Sequence, residues 1–167
     1  MFRDEDERAM MQIKLTISPY PRDFGCRLVT LAVRPFDDAW KRARDFYVGL
    51  GGAGGNPYRY NRFLPWLLEY GTSELIYASD VEVDDDGSVR FGDGRHRFAV
   101  LRDHGLVGIP VAMWPSSIEP ARKYGYLRRV HPANWRTISL RLPGVRAFRP
   151  SADSLDAVMG PPAPSEG

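Results

Sequence analysis

The segment Arg90-Phe-Gly-Asp-Gly-Arg-His-Arg-Phe-Ala-Val-Leu-Arg-Asp-His-Gly105 concentrates residues that handle phosphate where a strand should give way to a helix. Gly92 and Gly94 allow a tight turn and a close approach of backbone to ligand. A helix that starts just after them presents unpaired N–H groups and the positive end of its dipole, a ready site for anions. His96 and Arg97 fall in its first turn and can add charge-assisted hydrogen bonds to a phosphate, whereas Arg95 is most easily read as solvent-facing. Asp93 has two readings. It can bind a metal or act as a general base, or it can simply cap the helix or close an Asx-turn.

The elements that must position this segment follow from periodicity. Ile13, Leu15 and Ile17 alternate with polar residues and predict a strand stopped at Ser18-Pro19; residues 26–33 predict another. Asp37 or Asp38 is expected to cap a helix from Ala39 to about Val48. Five glycines between Gly49 and Gly55 predict a mobile loop, and no Gly-Lys-Ser/Thr ending makes it a P-loop. A helix is expected from Arg59 to Tyr70, with Phe63, Trp66, Leu67 and Tyr70 inward and Pro65 in its first turns. Leu75–Ala78 reads as a strand. Asp84-Asp-Asp-Gly87 is a turn joining Val81–Val83 to Val89–Phe91 in a hairpin, and it lacks the spaced ligands of a calcium loop. The motif helix should run from His96 to Asp103, with Gly105 as its left-handed C′ residue. Ile109–Trp114 follows as a strand, near an edge or at its own start because of Pro110. Residues 118–130 read as a basic helix and Thr137–Leu142 as a last strand.

A chain of 167 residues suits one domain with a real core. The expected division is an acidic arm over residues 1–10, a single domain over 11–149 with a basic C-terminal extension, and a Pro-rich, disordered tail over 150–167. No stretch is apolar enough to span a bilayer, and the charged start lacks the apolar core of a secretion signal, so a cytoplasmic location is expected. Cys26 is the single cysteine. It excludes an internal disulfide or a multi-cysteine zinc site and reads as a buried structural thiol. Charge is uneven: Arg90 to Arg149 holds twelve Lys or Arg against three Asp or Glu, leaving eleven against eighteen elsewhere. That basic half is consistent with phosphate, nucleotide or nucleic acid.

Taken whole, Phe91-Gly-Asp-Gly-Arg-His-Arg-Phe-Ala-Val-Leu-Arg-Asp-His-Gly-Leu-Val-Gly-Ile-Pro-Val111 resembles the core box of the ParB/sulfiredoxin-like superfamily, whose pattern is Asp-Gly-x-His-Arg…Ala…Leu…Gly…Ile-Pro-Val. The match is close over these 21 residues and looser from about residue 26 to 114. It implies a small α+β fold, a mixed sheet with a β-hairpin leading into the loop and helix, and nucleotide phosphates received at the helix N-terminus. Activities differ across the superfamily, so the fold does not select one. Sulfiredoxins place a catalytic cysteine just before the His-Arg pair; Arg95 stands there in this chain, which argues against sulfinic acid reduction. ParB proteins follow the box with a helix-turn-helix module, and the proline-interrupted sequence beyond Val111 does not suit one. By resemblance to serine-kinase-like relatives, Asp93 and His96 are catalytic candidates for phosphoryl transfer. Gly92, Gly94, Arg95, Arg97 and the more distant Arg62 would hold the phosphates of ATP or another nucleotide, and Asp93 a Mg²⁺. A nuclease reading uses the same groups, with His96 activating water and Arg95 or Arg97 gripping the scissile phosphate. A nucleic-acid-binding protein using residues 90–149, and an inactive protein-interaction module, remain as alternatives from other classes.

Overall fold

The computed structural model describes residues 11–44 and 46–142. Its strands are β1 (Met11–Thr16), β2 (Arg27–Ala32), β3 (Leu75–Tyr77), β4 (Asp80–Val83), β5 (Val89–Asp93), β6 (Gly108–Met113), β7 (Leu127–Val130) and β8 (Thr137–Leu142). Its helices are α1 (Pro19–Asp23), α2 (Val33–Trp40), α3 (Pro57–Tyr70), α4 (Arg95–Asp103) and α5 (Ile118–Lys123), with 3₁₀ turns at Leu50–Gly52 and Pro115–Ser117. The fold is α+β, built on two mixed sheets. None of the described helices is long and apolar enough to cross a membrane. The arm over 1–10 and the tail over 150–167 lie outside the described residues.

A three-stranded sheet has the order β3-β1-β8, with β1 parallel to β3 and antiparallel to β8. A five-stranded sheet has the order β5-β4-β6-β2-β7; only β4 and β6 run parallel. The chain passes from one sheet to the other at Ala78-Ser79. Ala78 N–H still donates to Thr16 O of the small sheet, and Ser79 O already accepts from Ala112 N–H of the large one. Ile13, Leu15 and Ile76 of the small sheet and Leu28, Val29, Val81 and Val111 of the large one belong to one continuous core. An aromatic cluster joins α2 and α4 to it: Phe36 meets Phe98 at 5.3 Å and Phe91 at 5.7 Å, and Trp40 meets Phe91 at 4.6 Å.

The hairpin, the motif helix and the last strand lie where periodicity predicts them, and Gly105 takes its left-handed conformation at φ 84°. Five expectations need correction. The helix expected over 39–48 is α2, which ends at Trp40. Asp37 therefore lies in its last turn, and its carboxylate serves Arg102 and Tyr47 instead of capping. The helix expected over 118–130 stops at Lys123, because Gly125 turns at φ 78° and β7 follows. β6 is a central strand, yet at Pro110 the ladder has a partner only in β2, since β4 meets β6 only at Ala112 and Met113. The missing N–H of Pro110 is tolerated for that reason. The glycine-rich loop is pinned: Gly51 N–H donates to Asp103 Oδ2 at 3.0 Å, and a Cβ at Gly52 would stand 2.7 Å from the Tyr60 ring. Finally, α3 starts earlier than expected, at Pro57. Asn56 is its N-cap, with its Oδ1 accepting from Arg59 N–H at 3.1 Å. Pro65 lies well inside it, and Tyr70 is 42% exposed rather than inward.

Candidate functional site

One cavity of about 1030 Å³ opens between α3, the rim strand β3 and the turn from β5 into α4. Gly92, Asp93, Gly94, Arg95, His96, Arg97 and Arg62 all line it, so the expected site residues come together, the distant Arg62 included.

The turn is held from below by two residues that the sequence reading did not single out. Gly94 is the N-cap of α4 in the left-handed region, at φ 86° and ψ 18°. Its carbonyl accepts from Ser79 Oγ at 2.7 Å and from Phe98 N–H at 3.0 Å. A Cβ there would stand 2.5 Å from Ser79 Oγ and 2.8 Å from Arg97 Nη2. A Cβ at Gly92 would collide with Asp80 Oδ2. The two glycines are thus required by the floor beneath them, Ser79-Asp80, as well as by the turn. Asp80 is buried and is the register partner of Asp93 across the hairpin, beside an irregularity in the pairing. Burial pushes its carboxyl up from the ordinary 3.8, and the nearby Asp93 charge adds to this. Backbone N–H groups of Asp80 and Asp93, and the Arg97 guanidinium, act in the opposite sense.

The remaining side chains divide by what already occupies them. Asp93 is 76% exposed; its Oδ1 accepts from Gly94 N–H at 2.8 Å, and its Oδ2 lies 3.7 Å from Arg97 Nη2. This bond to its neighbour is neither a helix cap nor an Asx-turn, which would need the N–H of Arg95; Gly94 is the N-cap, and the Asp93 carboxylate stays open to the cavity. Arg97 has no hydrogen bond to Nε or Nη2, although both atoms are shut off from solvent. His96 is buried, and its Nε2 accepts from Asn56 N–H at 2.9 Å, which ties α4 to the start of α3. Arg95 reads from sequence as solvent-facing, but its Nη1 donates to Phe46 O at 3.0 Å and its guanidinium lies over the Phe46 ring. Arg62 lies over Tyr58, 5.4 Å from the ring centre. Arg90 also reaches the cavity but is held by Glu82 and, at 2.8 Å, by Asp84. Trp40 is buried in the core and also reaches the cavity, and Trp66, expected to face inward, is half-buried on the cavity wall.

Behind the turn, Arg102 anchors α4. Its Nη1 donates to Val48 O at 2.6 Å and to Asp37 Oδ1 at 3.0 Å, and its Nε donates to Asp103 Oδ1 at 2.9 Å. Tyr60 Oη donates to Asp103 Oδ2 at 2.6 Å, and burial with this bond raises the phenol's pKa. One buried guanidinium thus fixes the glycine-rich loop, α2 and α3 against the motif helix.

Other side chains able to do chemistry lie away from the turn or are already occupied. His131 accepts from or donates to Thr30 Oγ1 at 2.8 Å and stacks on Trp135 at 5.2 Å, beside β2 and β7. His104 bonds Val100 O at the end of α4. Cys26 is buried, and its thiol is pushed up to about 12, mainly by burial and then by Asp80, which suits a structural role. Asp84 and Asp86 are occupied by Arg90 and Ser88 at the hairpin turn. No cluster of three His, Cys, Asp or Glu able to hold a metal exists among the described residues. A Mg²⁺ would fit here only as Mg²⁺ commonly binds, through the one exposed carboxylate of Asp93 and the phosphates of a ligand.

No protein-family model matches the chain, and no curated protein does. A solved structure, that of the oncogenic suppression activity protein, a plasmid fertility inhibition factor, as its gold(I) cyanide derivative, is similar at 16% identity with a TM-score of 0.43. The likeness covers 75% of this chain and 64% of that one, so the chain spans less than two thirds of that protein's length.

Proposed function

We propose that this chain is a ParB/sulfiredoxin-like protein that binds a nucleotide or another phosphate-bearing molecule at Gly92–Arg97. One observation carries the reading. Among the described residues the cavity is lined by Arg59, Arg62, Arg90, Arg95 and Arg97 against a single carboxylate, Asp93. Arg90 is paired to Glu82 and Asp84 outside the cavity, and Arg62, Arg95 and Arg97 share the single carboxylate of Asp93, so this part of the wall has an excess of positive charge that an anion would relieve. The N-terminus of α4 opens onto the same space. Tyr58, Trp66 and Tyr77 supply apolar and aromatic wall where a base or another flat group can lie.

For phosphoryl transfer, Asp93 is the group placed to accept a proton from an attacking hydroxyl or water, because its carboxylate is open to the cavity. Arg97 and the α4 N–H groups stabilise the negative charge on the transferring group. His96 has its Nε2 occupied by Asn56 N–H, so its part in this reading is to hold the turn in place.

The test is thermal stabilisation by ATP, ADP, CTP and inorganic phosphate. Wild-type protein should melt higher with at least one of them, and Arg97→Ala should lose the shift while melting normally without ligand. No shift with any member of the panel would remove the reading.

A further inference from the structure

The outer face of the three-stranded sheet is uncovered among the described residues and runs directly into the cavity. Register fixes which side chains share it. Lys14 pairs with Leu75 on one side and Ser139 on the other, Thr16 with Tyr77 and Thr137, and Gln12 with Arg141. Side chains of paired residues point to the same side of a sheet. Ile13, Leu15 and Ile76 take the opposite side and are buried, while the outer set is exposed save Thr16, which is half-buried. Leu75 is 59% and Tyr77 52% exposed, and both also line the cavity. One strand therefore serves as cavity wall and as edge of the open face.

The chemistry of this face is specific. It carries two cations, Lys14 and Arg141, three hydroxyl residues, a tyrosine ring and no acid. The acid next in sequence, Glu74, precedes β3. The rows from Thr16–Tyr77 to Gln12–Arg141 span roughly 13 Å at about 3.3 Å per residue. By contrast, the cations of residues 90–142 do not form one patch. Arg95 and Arg97 face the cavity, Arg122 and Lys123 end α5, and Arg128 and Arg129 sit on the edge strand β7.

We infer that the outer face of β3-β1-β8 is a track for single-stranded nucleic acid, entered from the cavity. A base stacks at Tyr77, and the following phosphates pass the Ser139 hydroxyl towards Lys14 and Arg141; the Thr16 hydroxyl is donated to Arg136 O at 3.0 Å and that of Thr137 to Thr16 Oγ1 at 3.3 Å. A flat open sheet with an aromatic ring and flanking cations fits a strand whose bases are free to stack, and it fits a duplex poorly. The inference rests on the phosphate reading of the cavity and names the kind of molecule that fills it: a strand continuing beyond a single nucleotide.

The experiment compares an oligothymidylate about twelve nucleotides long, read by fluorescence anisotropy, with ATP, read by thermal shift. The proteins are the wild type, Lys14→Glu/Arg141→Glu and Arg97→Ala. The double variant should weaken the oligonucleotide about tenfold or more, with the salt slope of the Lys14→Ala/Arg141→Ala form reduced by about 1.4, and ATP should stabilise it as it does the wild type. Arg97→Ala should weaken both ligands. The track is overturned if the wild type binds ATP but not the oligonucleotide, if the double variant binds it unchanged, or if poly-glutamate or a duplex competes equally well. Failure of both ligands with the wild type would overturn the cavity reading as well. The Ala pair keeps the test open should the Glu pair not fold.

Discussion

Asp80 and Asp93 are register partners across the β4–β5 hairpin, one carboxylate buried under Gly92 and the other exposed to the cavity. Burial favours the neutral form of Asp80, and the Asp93 charge beside it acts in the same sense. The two carboxylates thus differ in access: Asp80 supports the turn from beneath and Asp93 lines the cavity.

The Asp80 carboxyl gives a pH prediction whose sign is determined. A carboxyl raised in the folded state is favoured there as the protonated form, so its contribution is most stabilising at acid pH and is lost as pH rises through the raised value. Asp80→Asn keeps the shape and removes the buried charge. The variant should therefore melt above the wild type at pH 7, and the advantage should vanish towards pH 3–4, the ordinary carboxyl range. Melting curves of both proteins across that range check it; a variant destabilised equally at every pH would mean that the carboxylate is needed for its bonds rather than tolerated.

Gly94→Ala should be costly. The residue would take a left-handed conformation worth about 1–2 kcal/mol, and its methyl would press on Ser79 Oγ and Arg97 Nη2. A loss of about 2–3 kcal/mol lowers the melting temperature by roughly 4–12 °C for a chain of this size. Gly105→Ala is the control, since it shares a positive φ of 84° but meets nothing within 4 Å. The difference between the two variants isolates the collision with the floor of the turn.

The contrast between these glycines marks how far the sequence could be read. Gly92 and Gly94 are legible as a turn because glycine before an Arg-His-Arg helix start has few other uses. The Ser79-Asp80 floor is not legible: it depends on pairing across the hairpin and on the step of the chain between two sheets. The hairpin and motif helix follow from local periodicity, whereas the α+β architecture is what the resemblance of residues 91–111 implies. The bounds of α2 are not legible because Asp37-Asp38 resembles a cap, while the actual demand on Asp37 is Arg102, which is 65 positions away in the chain. The end of α5 is hidden because one glycine, Gly125, outweighs the helical pattern around it.

Arg102→Met should be among the most damaging single changes. Arg102 is buried, and the two carboxylates it serves are 15% and 8% exposed at the side chain. Removing the cation leaves both largely desolvated, a loss of about 3–5 kcal/mol for a broken buried pair. Urea unfolding should show the midpoint falling at unchanged slope. Because Val48 O also loses its donor, the glycine-rich loop should exchange its amide hydrogens faster even well below the midpoint.

His96 separates structural from chemical roles at the turn. Its Nε2 accepts the Asn56 N–H within a buried setting, so His96→Ala should cost about 1–3 kcal/mol for the amide left unpaired, with ligand binding falling as the turn loosens. His96→Gln offers an acceptor and should recover part of the stability. If the imidazole acts only by holding the turn, phosphate binding should recover in step with stability across the two variants. If Gln restores the melting temperature and binding stays lost, the imidazole itself touches the ligand, and the proton-accepting role assigned to Asp93 must be shared with it. Melting temperature and phosphate affinity measured on the same samples distinguish these outcomes.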